Sequence, residues 1–401
     1  MTRLAFISDI HYGQLSRTSE FSVPGEPITD DTSGGKSLKD NMIDILKQKK
    51  IDYLCIAGDL TSSGSPQEFY YCEKLILDLA KGLDIPEKNI ILGLGNHDID
   101  WRISEIYTQF ESNQEDFPQK LIKEKYRQIA TQASTINLQN IPLPPQKGPA
   151  PFSGILENDH FVMFILNTGW YCTNDQAFSH GELNENQLKW FKSMAEKYKD
   201  SSKWKIILMH HHTIKYSYPV QVVDLSMVKE SSEFLDIAGK NNFHLILHGH
   251  RHHPRAETCF RTGWGAPITF VCAGSFAVKA SHRQGGSIPN TLHIIELTDE
   301  LGILNLYNYQ YSAAQGWIPF SSNTPETPLD RNMRLGKLFS NTEIENAIRK
   351  LTIEKPISWD SLEDCLKFQS FQELNKKIEN IFDKSYIKIG NFPDDIILMK
   401  R

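Results

Sequence analysis

Six short apolar runs, each closing on polar or Gly-rich sequence, set the strongest limit on what this chain can fold into. They are Leu4-Ala5-Phe6-Ile7, Tyr53-Leu54-Cys55-Ile56-Ala57, Ile90-Ile91-Leu92-Gly93-Leu94, Phe161-Val162-Met163-Phe164-Ile165-Leu166, Ile206-Ile207-Leu208-Met209 and Leu245-Ile246-Leu247. Continuous apolar runs of this length, bounded by turn residues, read as strands buried on both faces. Helical spacing follows the first run at Leu38, Met42, Ile45 and Leu46, and the second at Phe69, Cys72, Leu75, Ile76 and Leu79. Strands alternating with amphipathic helices predict an α/β layered core. Two further strands are expected at Leu292-His293-Ile294-Ile295 and Leu304-Asn305-Leu306-Tyr307.

At 401 residues the chain is longer than one ordinary core of roughly 100 to 200 residues requires. Hydrophobic residues at 40% and charged residues at 23% exclude whole-chain disorder. The net charge of -6 leaves no global basic field for nucleic acid or an anionic membrane. The first apolar run meets Asp9 too early for a signal-peptide core, and no stretch approaches roughly 18 apolar residues. A cytoplasmic protein with no membrane association is expected, and the six scattered cysteines read as reduced thiols. Residues 102–151 form a polar stretch, helical in pattern over 116–136 and closed by Ile141-Pro142-Leu143-Pro144-Pro145, which reads as an insertion. Past Pro319, Pro325 and Pro328, helical patterns at 342–351 and 359–382 predict a mainly helical extension over 319–401, following a main domain over 1–318.

The chemistry-bearing residues fall directly after the expected strands. The first run leads into Ser8-Asp9-Ile10-His11, the second into Gly58-Asp59, the third into Gly95-Asn96-His97-Asp98, a later one into His210-His211-His212, and the last into His248-Gly249-His250-Arg251-His252-His253. Ligand sites in α/β sheets gather at the carboxyl ends of strands. Taken singly, each is explained as well by a turn or a satisfied core histidine. Five in this order, each after an apolar strand, point to a metal-binding constellation.

That series resembles the calcineurin-like metallophosphoesterase superfamily, over about residues 1–310, and within it the class III branch acting on cyclic nucleotides and glycerophosphodiesters. The resemblance implies a four-layered α/β/β/α sandwich with a dinuclear centre. It implies one metal held by Asp9, His11, Asp59 and His252, a second held by Asp59, Asn96, His210 and His250, and Asp59 bridging with its two oxygens. Nitrogen and oxygen donors without thiolate suit two divalent or mixed-valence transition ions among Mn, Fe, Zn, Co and Ni. Such a pair implies a metal-activated hydroxide attacking phosphorus in line. His97 is then the general acid or transition-state stabiliser, oriented by Asp98 through its second ring nitrogen.

One departure stands out: where many relatives read His-His-Pro, this chain reads His210-His211-His212-Thr213, which leaves both His210 and His211 open as the ligand. Trp101 and Tyr12 are candidates for either packing or a substrate wall. A small phosphodiester is the expected substrate. Two other readings are a nuclease guided by the insertion and the extension, and an inactive scaffold of the same fold. The extension is also a candidate homo-oligomer contact.

Overall fold

The computed structural model of the protein describes residues 1–24, 36–99, 153–169, 172, 180–215, 224, 226–259, 261, 263–283, 287–321, 329–336, 357–358, 386–389 and 397–400. Strands β1 (Thr2–Ile7), β2 (Tyr53–Ile56) and β3 (Ile90–Leu92) alternate with helices α1 (Leu38–Lys47) and α2 (Pro66–Gly82). Next come β4 (Gly154–Glu157), β5 (Phe161–Leu166), α3 (Glu185–Lys197), β6 (Trp204–Met209), α4 (Ser231–Lys240), β7 (Leu245–His248), β8 (Arg255–Cys259) and β9 (Ile268–Cys272). Strands β10 (Thr291–Leu297), β11 (Leu304–Ser312), β12 (Gly316–Pro319) and β13 (Asn332–Leu335) follow.

The first sheet has the order β12-β11-β10-β1-β2-β3, with β13 also paired to β11, and the second has the order β4-β5-β6-β7-β9-β8. Strands β1, β2 and β3 run parallel in register, Phe6 beside Cys55 and Ile56 beside Leu92. Strands β5, β6, β7 and β9 are likewise parallel. Their carboxyl ends therefore deliver the polar residues that follow them to one rim of each sheet.

Side-chain alternation explains the layering. Phe161, Met163, Ile165, Ile206, Leu208, Leu245 and Leu247 of the second sheet pack into the cluster built on the first sheet. Their neighbours Val162, Phe164, Leu166, Ile207, Met209 and Ile246 face Phe191 of α3 and Phe234 and Leu235 of α4. A strand buried on both sides needs apolar residues at every position, which is why these runs are continuous. Helices α1 and α2 close the first sheet through Leu38, Met42, Leu46, Phe69, Cys72, Leu75, Ile76 and Leu79. The result is the expected four-layered α/β/β/α sandwich.

The α2 start also shapes the site. Ser65 and Glu68 form a reciprocal capping box with Pro66 in the first turn. Glu68 further accepts from the Ser63 amide and hydroxyl, both at 2.9 Å, which fixes the loop that follows Asp59.

Strands β4, β8, β9, β12 and β13 lie outside the runs read from sequence, β8 because Arg-Ala-Glu-Thr-Cys is mostly polar, as a sheet edge permits. The first sheet extends past residue 318: that boundary falls inside β12, and β13 adds to β11. The physical reason is Trp317, buried with its indole N–H on the Leu38 carbonyl at 2.8 Å, which locks this stretch to α1. Farther on, the described pieces of the extension are three short antiparallel strands, β14 (Ile357–Ser358), β15 (Tyr386–Ile389) and β16 (Ile397–Lys400). The helical patterns at 116–136, 342–351 and 359–382, with the rest of the 102–151 insertion, lie outside the described residues.

Phe164 is fully buried, with ring centroids 5.0 Å from Phe243 and 5.6 Å from Phe191. Phe164→Ala is expected to cost about 3 to 5 kcal/mol, read as a lower denaturant midpoint with the metal content held fixed.

Candidate metal centre

Three loops of the first sheet and two of the second meet at one buried point. Backbone bonds set their spacing: the Asp9 amide donates to the Gly58 carbonyl and the His11 amide to the Asp59 carbonyl, both at 3.0 Å. Within the second sheet, the Gly249 amide donates to the His210 carbonyl at 3.0 Å. Asp9, His11, Asp59, His250 and His252 all adopt left-handed backbone, with φ of 55°, 49°, 50°, 71° and 54°. Non-glycine residues in that region carry strain that persists only where surrounding contacts over-determine it, commonly at functional sites. Two glycines allow the close approach. A Cβ on Gly249 would fall on the Ser8 hydroxyl and the Asp9 carboxylate, and one on Gly95 would fall on the Asp59 carboxylate.

Asp59 is the hub, at 1% exposure. Its Oδ2 lies 3.3 Å from His11 Nε2 and 3.1 Å from His210 Nε2, while its Oδ1 accepts the His97 amide at 2.8 Å. Oδ2 thus meets rings on both sides of the cluster, while Oδ1 accepts a backbone amide. On one side, Asp9 Oδ1 lies 3.8 Å from His11 Nε2 and 3.2 Å from His252 Nε2. On the other, His210 and His250 gather on Asp59, with His250 Nδ1 at 3.0 Å from Asn96 Oδ1. The donor atoms of Asp9, His11 and His252 lie within 4.8 Å of one another, as do those of Asp59, His210 and His250 and those of His11, Asp59 and His97.

Carbonyls fix which ring nitrogen faces the centre. A carbonyl only accepts, so Nδ1–H of His210 donates to Ala57 at 2.8 Å and Nδ1–H of His252 donates to His282 at 2.9 Å. Nε2 of each ring is thereby aimed inward, the arrangement that orients metal-binding histidines.

Electrostatics test the fit of a cation. Burial alone would raise Asp9, but the imidazoles of His11 and His252 beside it hold it below the usual carboxylate range. Burial likewise opposes ionisation of Asp59, yet the charges of His210, His97 and His11 hold it well below its ordinary value. Burial would lower His11 and His210, but Asp59 beside both pushes them up, to about 10 and about 9. Asp9 Oδ1, His11 Nε2 and His210 Nε2 are buried and make no hydrogen bond. Protons on two histidines thus stand where the carboxylates call for positive charge, and a cation replacing those protons would meet the Nε2 lone pairs they leave. The residues fit a pair of metal cations.

A family model described as calcineurin-like phosphoesterase matches residues 2–254. The chain belongs to the calcineurin-like phosphoesterase family. No curated protein sequence matches the chain. Among solved structures, a dimetal phosphatase from Danio rerio is similar at 10% identity, covering 84% of this chain and 98% of its own, with a TM-score of 0.46. A purple acid phosphatase from yellow lupin seeds is similar at 14% identity, covering 79% of this chain and 52% of its own, also at 0.46. A putative 5'-nucleotidase from Staphylococcus aureus, at 14% identity, covers 97% of this chain and 62% of its own at 0.35. Similarities this distant set no substrate. Membership of the family makes the chain a metal-dependent phosphoester hydrolase, and the two clusters flanking Asp59 support a dinuclear centre.

Within this phosphoesterase, Asp98 does not take the position expected from sequence. Nδ1 of His97 meets the Ser62 carbonyl at 2.9 Å, whereas the fully buried Asp98 carboxylate accepts from the amides of Leu60, Thr61 and Gly95 at 2.8 to 3.0 Å and from the Thr61 hydroxyl at 3.2 Å. Through these four donors it ties the Asp59 loop to the His97 loop. Burial pushes its carboxyl up to about 7, against donors that suit only the ionised form. Of His210 and His211, it is His210 whose Nε2 lies against Asp59. His211 Nδ1 contacts the Thr168 hydroxyl at 2.8 Å and its Nε2 contacts Cys172 Sγ at 3.8 Å, with its ring against that of His250 at 4.4 Å. Sequence reasoning missed Thr168 and Cys172, which carry no local signal. Tyr12 is buried and stacks on Tyr71, so it packs; Trp101 lies outside the described residues.

Because folding raises His210 above its ordinary 6.5, its stabilisation is complete below that pH and is lost as pH rises through about 9. In chelator-treated protein, the advantage of wild type over His210→Gln in urea unfolding is expected to shrink between pH 6.5 and 9. A constant difference would show that the Asp59 contact is not formed in solution.

Proposed function

We propose that this phosphoesterase hydrolyses phosphodiesters, with Asp9, His11, Asp59 and His252 holding one metal and Asp59, Asn96, His210 and His250 the other. Bound transition ions of the Mn, Fe, Zn, Co or Ni class would supply Lewis acidity, lowering the pKa of a water and offsetting phosphoryl charge. The observation that carries the diester reading is that three cations of the surrounding loops, among the described residues, are already engaged. Arg251 donates to Asp224 and Ser226 at 3.1 and 2.9 Å, Lys279 to the Gln14 carbonyl at 2.9 Å, and buried Arg283 to the carbonyls of Val278 and Ile288. A monoester dianion calls for one more positive partner than a diester monoanion does, and among the described residues none of these three is left to provide it.

His97, whose ring lies 4.5 Å from that of His11, is the residue we assign to protonate the leaving group. Burial lowers it to about 4, so at neutral pH its ring is uncharged, with Nδ1–H on Ser62 and a lone pair on Nε2. An anionic phosphoryl group beside it favours the imidazolium. The proton then held on Nε2 is the one it would give to the departing alkoxide.

The complete set of candidate ligands speaks against the scaffold reading. Among the described residues no helix is long and apolar enough to cross a membrane, and five free cysteines accord with a cytoplasmic setting. Metal-stripped protein resupplied with Mn, Zn, Fe or Ni should cleave an activated aryl phosphodiester faster than the matching monoester. Asp59→Asn should abolish turnover, and His97→Ala should lower kcat about 10²- to 10⁴-fold. Monoester preference would overturn the diester reading. Faster cleavage of single-stranded oligonucleotides, with a steep fall in salt, would favour the nuclease instead.

A further inference from the structure

Residue 212 stands where a proline would stiffen the chain just after His210, and here it is a fully buried histidine instead. Its Nε2–H donates to Asp224 Oδ2 at 2.8 Å. The other oxygen of the same carboxylate, Oδ1, accepts from Arg251 at 3.1 Å, from the Ser226 hydroxyl at 2.6 Å and from the Ser226 amide at 3.1 Å. The Asp224 and Arg251 side chains are 6% and 12% exposed, so solvent screens little of this contact. Arg251 is the single residue between His250 and His252, whose φ values of 71° and 54° both lie in the left-handed region. Through His212, Asp224 therefore grips the loop after β6 that carries His210. Through Arg251, it grips the loop after β7 that carries His250 and His252.

We propose that Asp224 is a positioning residue for the metal centre, bracing His212 and Arg251 together so that the strained loops present His210, His250 and His252 in register. The inference rests on the reading of those three histidines as metal ligands. It gives Arg251 a task other than gripping substrate phosphate. It also supplies, by hydrogen bonds, the stiffness that a proline at 212 would give covalently. Outer partners that orient ligating side chains typically govern metal affinity by about 10- to 100-fold when removed.

The test is equilibrium dialysis of the metal-free full chain against Mn or Zn, with metal analysis, for wild type, Asp224→Ala, Arg251→Gln and the double variant. Steady-state kinetics and thermal unfolding of the metal-free forms accompany it. We expect wild type to bind two ions and each single variant to lose about 10- to 100-fold in affinity. The double variant should lose no more than the worse single, because both remove one brace. Unchanged metal affinity with a raised KM in Arg251→Gln would overturn the proposal in favour of a substrate contact. Additive losses would show two independent effects, and a lowered melting temperature with unchanged affinity would reduce the brace to a structural role. Either result overturns it. A wild type that binds no ion would sink the metal-centre reading itself, an outcome distinct from wild type and variants binding two ions equally.

Discussion

The structure depends on one oxygen atom. Oδ2 of Asp59 lies between Nε2 of His11 and Nε2 of His210, and those two rings belong to different sheets. A buried carboxylate is costly unless its charge is met, so its presence at 1% exposure requires both sheets to bring cationic or metal-bearing partners to the same point. That requirement explains the glycines on either side. Gly58 and Gly95 let the two loops of the first sheet approach backbone to backbone, and Gly249 lets a loop of the second sheet reach Asp9.

The strain in five candidate ligand residues has a physical counterpart in the bonds around them. Left-handed backbone at Asp9, His11, Asp59, His250 and His252 turns their side chains toward one centre, with the Asp9 amide held by Gly58, the His11 amide by Asp59 and the His250 amide by the Asp9 carboxylate. The same design fixes the ring nitrogens, since Ala57, Ser62 and His282 offer carbonyls that hold Nδ1 and leave Nε2 inward. Asp98 belongs to this framework more than to the chemistry: it joins the Asp59 and His97 loops at the backbone. Asp224 extends the principle to the second sheet, where the histidine triplet lacks a stiff residue of its own.

The layered core was legible because burial on both faces demands unbroken apolar runs, and Phe161 through Leu166 or Ile206 through Met209 cannot be solvent-facing strands. Edge strands escaped the reading for the opposite reason. Strand β8 carries Arg255, Glu257 and Thr258 among only two apolar residues, and β12 is recognisable only once Trp317 is seen against Leu38. The three strands at 357–358, 386–389 and 397–400 are too short to stand out from sequence that otherwise reads as helical.

The sequence by itself determined the strand ends, and with them the order in which Asp9, His11, Asp59, Asn96, His97, His210, His250 and His252 are presented. Apolar period and turn chemistry act along the chain and are written locally. Only the tertiary structure decided that His210 and not His211 faces Asp59, that one Asp59 oxygen meets both His11 and His210, and that Asp98 leaves His97 to Ser62. Those choices turn on partners far away in sequence, such as the Ala57 carbonyl 153 residues from His210. A hydrogen bond of about 3 Å exists only after the sheets have packed, so no local pattern could have announced it.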